Sequence, residues 1–351
     1  MFPDRTSHRR RILAALLLVA ALAPAVAAPS RESPLRVRFL FWHESPADAR
    51  ARDGVLRGLG FARIPVDVGA FNAGFDIGAI TDAAARESEE RRATAAAIAR
   101  LEAWRDASEI DVLVAMGTRA ALIAKDVYRD IPVVFTAVTH PVASGVTESW
   151  GPTGRNLAGN SNWVGMERVL PLFQRTMRGG GRLGVVTSPT NAVSAAEVEE
   201  AWRYAAQTPQ LSLVVRKAAT PDELRDAVRA MADDIDALWI PIDDLGYRNV
   251  PLIRAALGER RIPIVSSSFH AVRQGAVVGI AADYDLLGLR AAELIRRIAV
   301  LGEDPGTLPI GRLATFDVEV NLGAAEAQGI TLPPELAASA DRLLREPDGE
   351  R

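Results

Sequence analysis

From residue 36 onward, short β-rich runs alternate with amphipathic helical stretches. Arg36–Trp42 (RVRFLFW), Pro65–Phe71 (PVDVGAF), Asp111–Met116 (DVLVAM) and Ile131–Val138 (IPVVFTAV) read as strands. Helical sequence fills Ala47–Leu59 and Ala83–Trp104, where apolar Ala97, Ile98, Leu101 and Trp104 fall at helical spacing, and Gly117-Thr118 opens another helix to about Tyr128. The pattern then repeats. Arg182–Thr187, Leu211–Arg216, Asp236–Pro241, Ile262–Ser266 and Gly275–Ala281 are strand-like. Ser194–Ala206, Pro221–Ala232 and Asp285–Leu301 are helical, the last with a stripe of Leu287, Ala291, Leu294, Ile295 and Ile298. Thr220, Pro221 and Glu223 form a capping-box start signal. This alternation predicts parallel sheets covered on both faces, and roughly ten strands are too many for one compact unit. The expected fold is α/β, built as two lobes.

The first thirty residues follow a different logic. Arg5, Arg9, Arg10 and Arg11 precede an uncharged run, Ile12–Ala28, that ends in Pro24 and the small tripeptide Ala25-Val26-Ala27. Charged, apolar and small-residue regions in that order predict a secretory signal peptide over 1–27, not a membrane span, which needs about 20 residues. Arg9-Arg10-Arg11 also loosely fits a twin-arginine signal. Removing 1–27 takes away four Arg and Asp4, a net +3, and moves the chain from −3 to −6. The expectation is a periplasmic, soluble, monomeric protein with no lipid anchor, since the chain has no cysteine. The same absence removes disulfides, thiol nucleophiles and thiolate metal sites. A balance of 41 basic and 44 acidic residues excludes a strongly basic nucleic-acid binder.

Ligands of open parallel sheets bind outside the C-terminal ends of the strands, which names candidate residues. These are Trp42, His43, Glu44 and Ser45 after the first strand, Gly117 and Thr118 after DVLVAM, and Thr139 and His140 after IPVVFTAV. In the second half they are Thr187, Ser188, Thr190 and Asn191, then Ile242, Asp243 and Asp244, then Ser267, Ser268 and His270, then Asp283 and Tyr284. Hydroxyls, carboxylates and imidazoles suit a polar solute, and the same residue types also cap helices and close turns.

Asp111-Val-Leu-Val-Ala-Met-Gly-Thr118 followed by Ile131-Pro-Val-Val-Phe-Thr-Ala-Val-Thr-His-Pro-Val-Ala143 closely resembles the ABC-transporter substrate-binding proteins of the tryptophan/tyrosine-binding type. Leu183–Asn191, Asp236–Asp243, Val272–Ala276, Asp283–Gly288, Phe316–Asn321 and Gly329–Pro334 are similar to further family segments, in order over nearly all of 36–345. The resemblance implies a type I periplasmic binding protein, two Rossmann-like lobes joined by a three-crossing hinge. It places lobe 1 at 34–142 plus 277–306 and lobe 2 at 143–276 plus 307–345, with crossings near 141–162, 272–281 and 307–316. The implied function is the periplasmic solute-binding component of an ABC importer, taking a small polar or amino-acid-like solute and docking on an inner-membrane permease. No cofactor is implied. By the match, Gly117 and Thr118 would cradle a carboxylate, Asp243 would meet an amino group, and Asn191 would add a polar contact from lobe 2. His140 stands where the family usually has Asp, and Phe269-His270 where acidic residues are common. Those departures weaken a zwitterionic aromatic amino acid as the substrate, while leaving the class intact.

Other classes fit the residues less well. No G-x-S-x-G, P-loop or H-E-x-x-H motif supports an enzyme, and Gly179–Gly184 fits G-x-G-x-x-G only on the wrong side of its strand. A metal-binding receptor would use His43, His140 and His270, with Glu44 as a fourth donor. A sensor that hands its closed form to a membrane receptor would look the same in sequence. Trp42, Trp150 and Trp163 are expected near the cleft, and Trp104, Trp202 and Trp239 in cores.

Overall fold

The computed structural model describes residues 33–75, 83–177 and 181–346. The signal-peptide expectation for 1–27 lies outside them. The chain first lays down β1 (Leu35–Phe41), α1 (Pro46–Phe61), β2 (Val66–Asn72), α2 (Ala83–Asp106), β3 (Val112–Met116), α3 (Gly117–Val127), β4 (Val133–Val138) and β5 (Leu157–Ser161). A second series follows: α4 (Met166–Gln174), β6 (Gly181–Thr187), α5 (Ala192–Ala205), β7 (Leu211–Lys217), α6 (Pro221–Met231), β8 (Ala237–Ile240), α7 (Asp244–Arg248), α8 (Val250–Leu257), β9 (Ile264–Ser266), α9 (Phe269–Arg273) and β10 (Val278–Ala282). The chain then adds α10 (Tyr284–Ala299), β11 (Gly311–Arg312), β12 (Phe316–Asn321), α11 (Leu322–Ala327), α12 (Pro334–Ala338) and β13 (Arg342–Leu344).

Two sheets result. The first runs β11-β5-β4-β3-β1-β2 and is parallel throughout. The second runs β13-β12-β10-β9-β8-β6-β7, with only the β10–β12 pair antiparallel. Alternation along β1 explains its interior place, between β3 and the edge strand β2. Leu35, Val37, Phe39 and Phe41 pack with α1 and α10 on one face, while Leu40 joins Leu101, Trp104 and Leu113 on the other. Arg38 is buried on that second face because its guanidinium binds Asp67 at 2.8 Å.

Sheet membership moves three boundaries of the expected lobes. β5 belongs to the first sheet, where lobe 2 is expected from 143; β10 belongs to the second, where lobe 1 is expected from 277; and β11 belongs to the first, where lobe 2 is expected from 307. The crossings accordingly fall between β5 and α4, between β10 and α10, and between β11 and β12. β5 (LAGNS) is a strand by virtue of its neighbours. A β-carbon at Gly159 would lie 2.4 Å from Phe135, so only glycine fits there. Buried Asn160 accepts from Thr136 Oγ1 at 2.7 Å and donates to the Leu287 carbonyl at 2.9 Å.

α10 leaves a strand of the second sheet and packs back on the first lobe through glycines. A β-carbon at Gly54 of α1 would sit 2.5 Å from the Asp285 carbonyl oxygen, and one at Gly288 would sit 2.0 Å from that of Ala51. The two helices therefore meet backbone to backbone beside the second crossing. The register of β4 against β5 slips between Phe135 and Val138, where Ala137 takes φ 58°, and this bulge redirects the chain just before Thr139.

Helix starts follow the sequence with one shift. Thr220 Oγ1 accepts from the Glu223 amide at 3.2 Å, but the Glu223 carboxylate reaches the Ala219 amide at 2.8 Å instead of that of Thr220. Trp104 and Trp239 are buried as expected, whereas Trp202 on α5 is exposed. Among the described residues no helix is long and apolar enough to cross a membrane.

Candidate ligand-binding site

Strand ends from both sheets surround a cavity of about 330 Å³ beside the crossings. The first lobe contributes Ser45, Pro46, Ala47, Arg50 and Thr139, the crossings Asn162, Ala281, Ala282 and Tyr284, and the second lobe Ile242, Tyr247, Ser267, Ser268, Phe269, His270 and Arg273. Ser45 caps α1: its hydroxyl accepts from the Asp48 amide at 3.2 Å and donates to the Asp48 carboxylate at 2.7 Å. Burial raises the Asp48 carboxyl above its ordinary range, against those hydrogen bonds. Asn162 donates from Nδ2 to the Tyr284 hydroxyl at 2.9 Å, linking the first crossing to the second. Its Oδ1 is buried and, among the described residues, has no partner. Burial pushes the Tyr284 phenol up to about 12.

The floor on the second-lobe side is a buried polar network. Ser267 Oγ accepts from Trp239 Nε1 at 2.9 Å. Behind it Glu197, 1% exposed, accepts the Ile242 amide and bonds the Ser267 side chain. Burial outweighs those bonds and pushes the Glu197 carboxyl up to about 8, so it is largely protonated at neutral pH. His270 packs its ring 6.1 Å from that of Tyr247, and burial, reinforced by Arg248, lowers its pKa.

A second cavity of about 570 Å³, termed the outer cavity, is also lined from both lobes. Arg86 and Ser144 reach it from the first lobe, and Ser188, Thr190, Asn191, Asp243, Asp244 and Arg248 from the second. Asn191 caps α5, accepting from the Val193 and Ser194 amides at 3.0 Å each. Asp243 is 3% exposed and accepts from the Ser188 amide at 2.7 Å, Ser194 Oγ at 3.1 Å and the Leu245 amide at 3.0 Å. Its carboxylate is committed to the protein.

The sequence-predicted residues are thus divided. Ser45, Thr139, Ile242, Ser267, Ser268, His270 and Tyr284 line the inner cavity, and Ser188, Thr190, Asn191, Asp243 and Asp244 the outer one. Trp42, His43, Glu44, Gly117, Thr118, His140 and Asp283 line neither. Trp42 packs 5.0 Å from Phe75 with the Arg119 guanidinium 5.4 Å from its ring centre, His43 is exposed, and Glu44 pairs with Arg52. Gly117 turns β3 into α3 at φ 80°, and the helix that includes Thr118 starts without a side-chain cap. Asp283 caps α10, accepting from the Asp285 and Leu286 amides.

His140 sits between Trp150 and Trp163, with ring centres 5.0 and 4.6 Å away. The Ala143 amide donates to its Nδ1 at 3.0 Å, which requires that nitrogen unprotonated, and burial lowers its pKa accordingly. The metal reading fails on this geometry. Among the described residues no three His, Cys, Asp or Glu side chains converge to hold an ion. Arg50 and Arg273 were not foreseen. Both sit on helices that follow strand ends, and their long side chains bring them to the cavity from beyond the loop.

The sequence profile described as ABC transporter substrate binding protein matches residues 51–344. A tyrosine-binding protein of Clostridioides difficile is 29% identical over 212 residues, an alignment that covers 60% of this chain and 61% of that relative. The solved ABC domain from Streptococcus pneumonia in complex with L-Trp superposes with a TM-score of 0.68 at 21% identity, covering 88% of this chain and all of that one (100%). The ligand-free, open structure of a substrate-binding protein with adhesive properties from Clostridium difficile gives 0.73 at 22% identity, covering 88% of this chain and 99% of that one. The two sheets and their crossings share the two-lobe architecture of those structures, and with the profile spanning most of its length the chain belongs to the ABC transporter substrate-binding protein family.

Proposed function

We propose that this protein is an exported solute receptor that captures a small carboxylate-bearing molecule in the inner cavity and presents it to an inner-membrane ABC permease. The observation that carries the reading is the composition of that cavity. Ser45 and Thr139 from one lobe, Ser267 and Ser268 from the other, and Asn162 and Tyr284 of the crossings line it together. A solute touching all three regions links the lobes and favours their closure. The cavity volume, about 330 Å³, suits a molecule of amino-acid size. The relatives named for tyrosine or solved with L-Trp point to solutes of the same size, carrying a carboxylate and an aromatic ring. The Arg-rich, apolar N-terminus supports export to the periplasm by a signal peptide. The receptor works without a catalytic step: capture and release suffice.

A thermal-shift screen tests this, using amino acids, aromatic and aliphatic acids, purines, sugars and divalent metals. A solute that binds only the folded protein raises its melting temperature by mass action. The expected result is stabilisation by a carboxylate-bearing member, lost in a Thr139→Tyr variant that fills the inner cavity. No stabilisation by any member, or undiminished binding to a folded Thr139→Tyr protein, contradicts the proposal.

A further inference from the structure

Among the described residues, the charged side chains that line the inner cavity are guanidiniums. Arg50 and Arg273 enter it from opposite lobes, and no Asp or Glu lines it. The two cations are not equally engaged. Arg50 is held by Asp285, with Nε at 2.9 Å and Nη2 at 2.8 Å from Oδ2. Among the described residues Arg273 makes one long hydrogen-bonded ion pair, Nη2 to the buried Glu319 Oε1 at 3.4 Å. A guanidinium has five N–H donors in a planar fork, so most of that of Arg273 remains to be matched.

Behind the wall, Asp285 pairs with Arg50 and the buried Glu319 with Arg273, while other nearby carboxylates are committed to the protein backbone. Asp283 caps α10, Asp243 holds the Ser188 and Leu245 amides, and Glu197 lies behind Ser267 with its oxygen on the Ile242 amide. Asp244 opens on the outer cavity. Among the described residues lining the inner cavity an α-ammonium group would find guanidinium donors and no carboxylate acceptor, so it would lose water without gaining an ionic partner. A carboxylate would find the fork of Arg273, a geometry that accepts two parallel hydrogen bonds. The rest of the wall includes Phe269, Tyr247 and Tyr284, which suit an apolar or aromatic body.

We infer that the inner cavity selects a compact organic anion, a carboxylate on an apolar body, over the same body carrying an ammonium group beside the carboxylate. This rests on the inner cavity being the solute site, as proposed above. Arg273 is the anion contact and the specificity-determining residue.

Isothermal titration with three probes of one body tests it: 3-phenylpropionate, L-phenylalanine and 2-phenylethylamine. The expected result is that 3-phenylpropionate binds, L-phenylalanine binds at least about tenfold more weakly, and 2-phenylethylamine does not bind, since each lost or added charge is worth about 1.4 kcal/mol or more. Arg273→Gln should weaken 3-phenylpropionate at least about tenfold, with Arg273→Lys between it and the parent. Melting curves of the unliganded variants verify that both fold. Equal or tighter binding of L-phenylalanine overturns the inference and leaves the receptor reading standing. So does unchanged binding of 3-phenylpropionate by folded Arg273→Gln, or failure of all three probes while another solute of the wider screen binds. If nothing in the wider screen binds, both fall.

Discussion

The Asp243 carboxylate accepts three hydrogen bonds at once, from the Ser188 and Leu245 amides and the Ser194 hydroxyl, and is almost fully buried. Sequence position alone marked it as an acid at a strand end, which describes a ligand contact and a helix cap equally well. Its partners decide for the cap. Asp243→Ala should cost about 2–4 kcal/mol of stability by stranding buried amides, readable by urea denaturation. Solute affinity of the protein that remains folded should change by no more than about threefold. Glu197 gives a pH signature. Its folded pKa of about 8 lies above the unfolded value of about 4.3, so the folded state holds the extra proton between them. Its contribution is therefore most favourable below about pH 4 and is lost progressively up to about pH 8. Glu197→Gln, which mimics the protonated acid, should raise the melting temperature at pH 8 and leave it nearly unchanged at pH 4.5. A Gln variant that melts lower than the parent at pH 8 would contradict this. The inner-cavity residues that the strand-end rule names, Ser45, Thr139, Ile242, Ser267, Ser268, His270 and Tyr284, stand at or just past strand ends. Arg50 and Arg273 escaped because a strand-end rule stops at the loop, whereas long side chains on the next helix can point back toward its start.

Element boundaries were legible wherever period and burial agreed. β3 and β4 are continuous apolar runs buried on both faces, and the stripe of α10 is the one its spacing predicts. β5 was invisible for the opposite reason: LAGNS carries no strand propensity, and its place comes from Phe135, Thr136 and Leu287, which are distant in sequence. Missing it moved the first crossing and left Asn162 unnoticed. The α1–α10 seam is likewise a tertiary property of glycines that sequence alone presents as weak helix formers. Gly288→Val should cost at least about 1–3 kcal/mol, because the Ala51 carbonyl and the Gly54 backbone leave no room. Gly60→Ala, on the same α1 but with nothing within 4 Å of its β-carbon, should stabilise by up to about 1 kcal/mol. Denaturant midpoints of the pair separate seam packing from helix propensity, and equal shifts in the two would refute the seam.

At the scale of the molecule, two parallel-dominated sheets share three crossings, and the inner cavity lies against two of them, at Asn162 and at Tyr284. In the proposed reading that placement couples occupancy to hinge angle: a solute bonded by groups from both lobes and from the hinge would supply binding energy to hold the lobes together. Strand–helix alternation and the family resemblance made the two lobes legible, while the lining of the cavity between them, Arg50 and Arg273 included, required the fold. The most direct measurement is small-angle X-ray scattering of the purified protein alone and saturated with the solute that most raises its melting temperature. Capture between the lobes predicts a smaller radius of gyration on saturation, abolished by Thr139→Tyr. An unchanged radius with the solute demonstrably bound would contradict it.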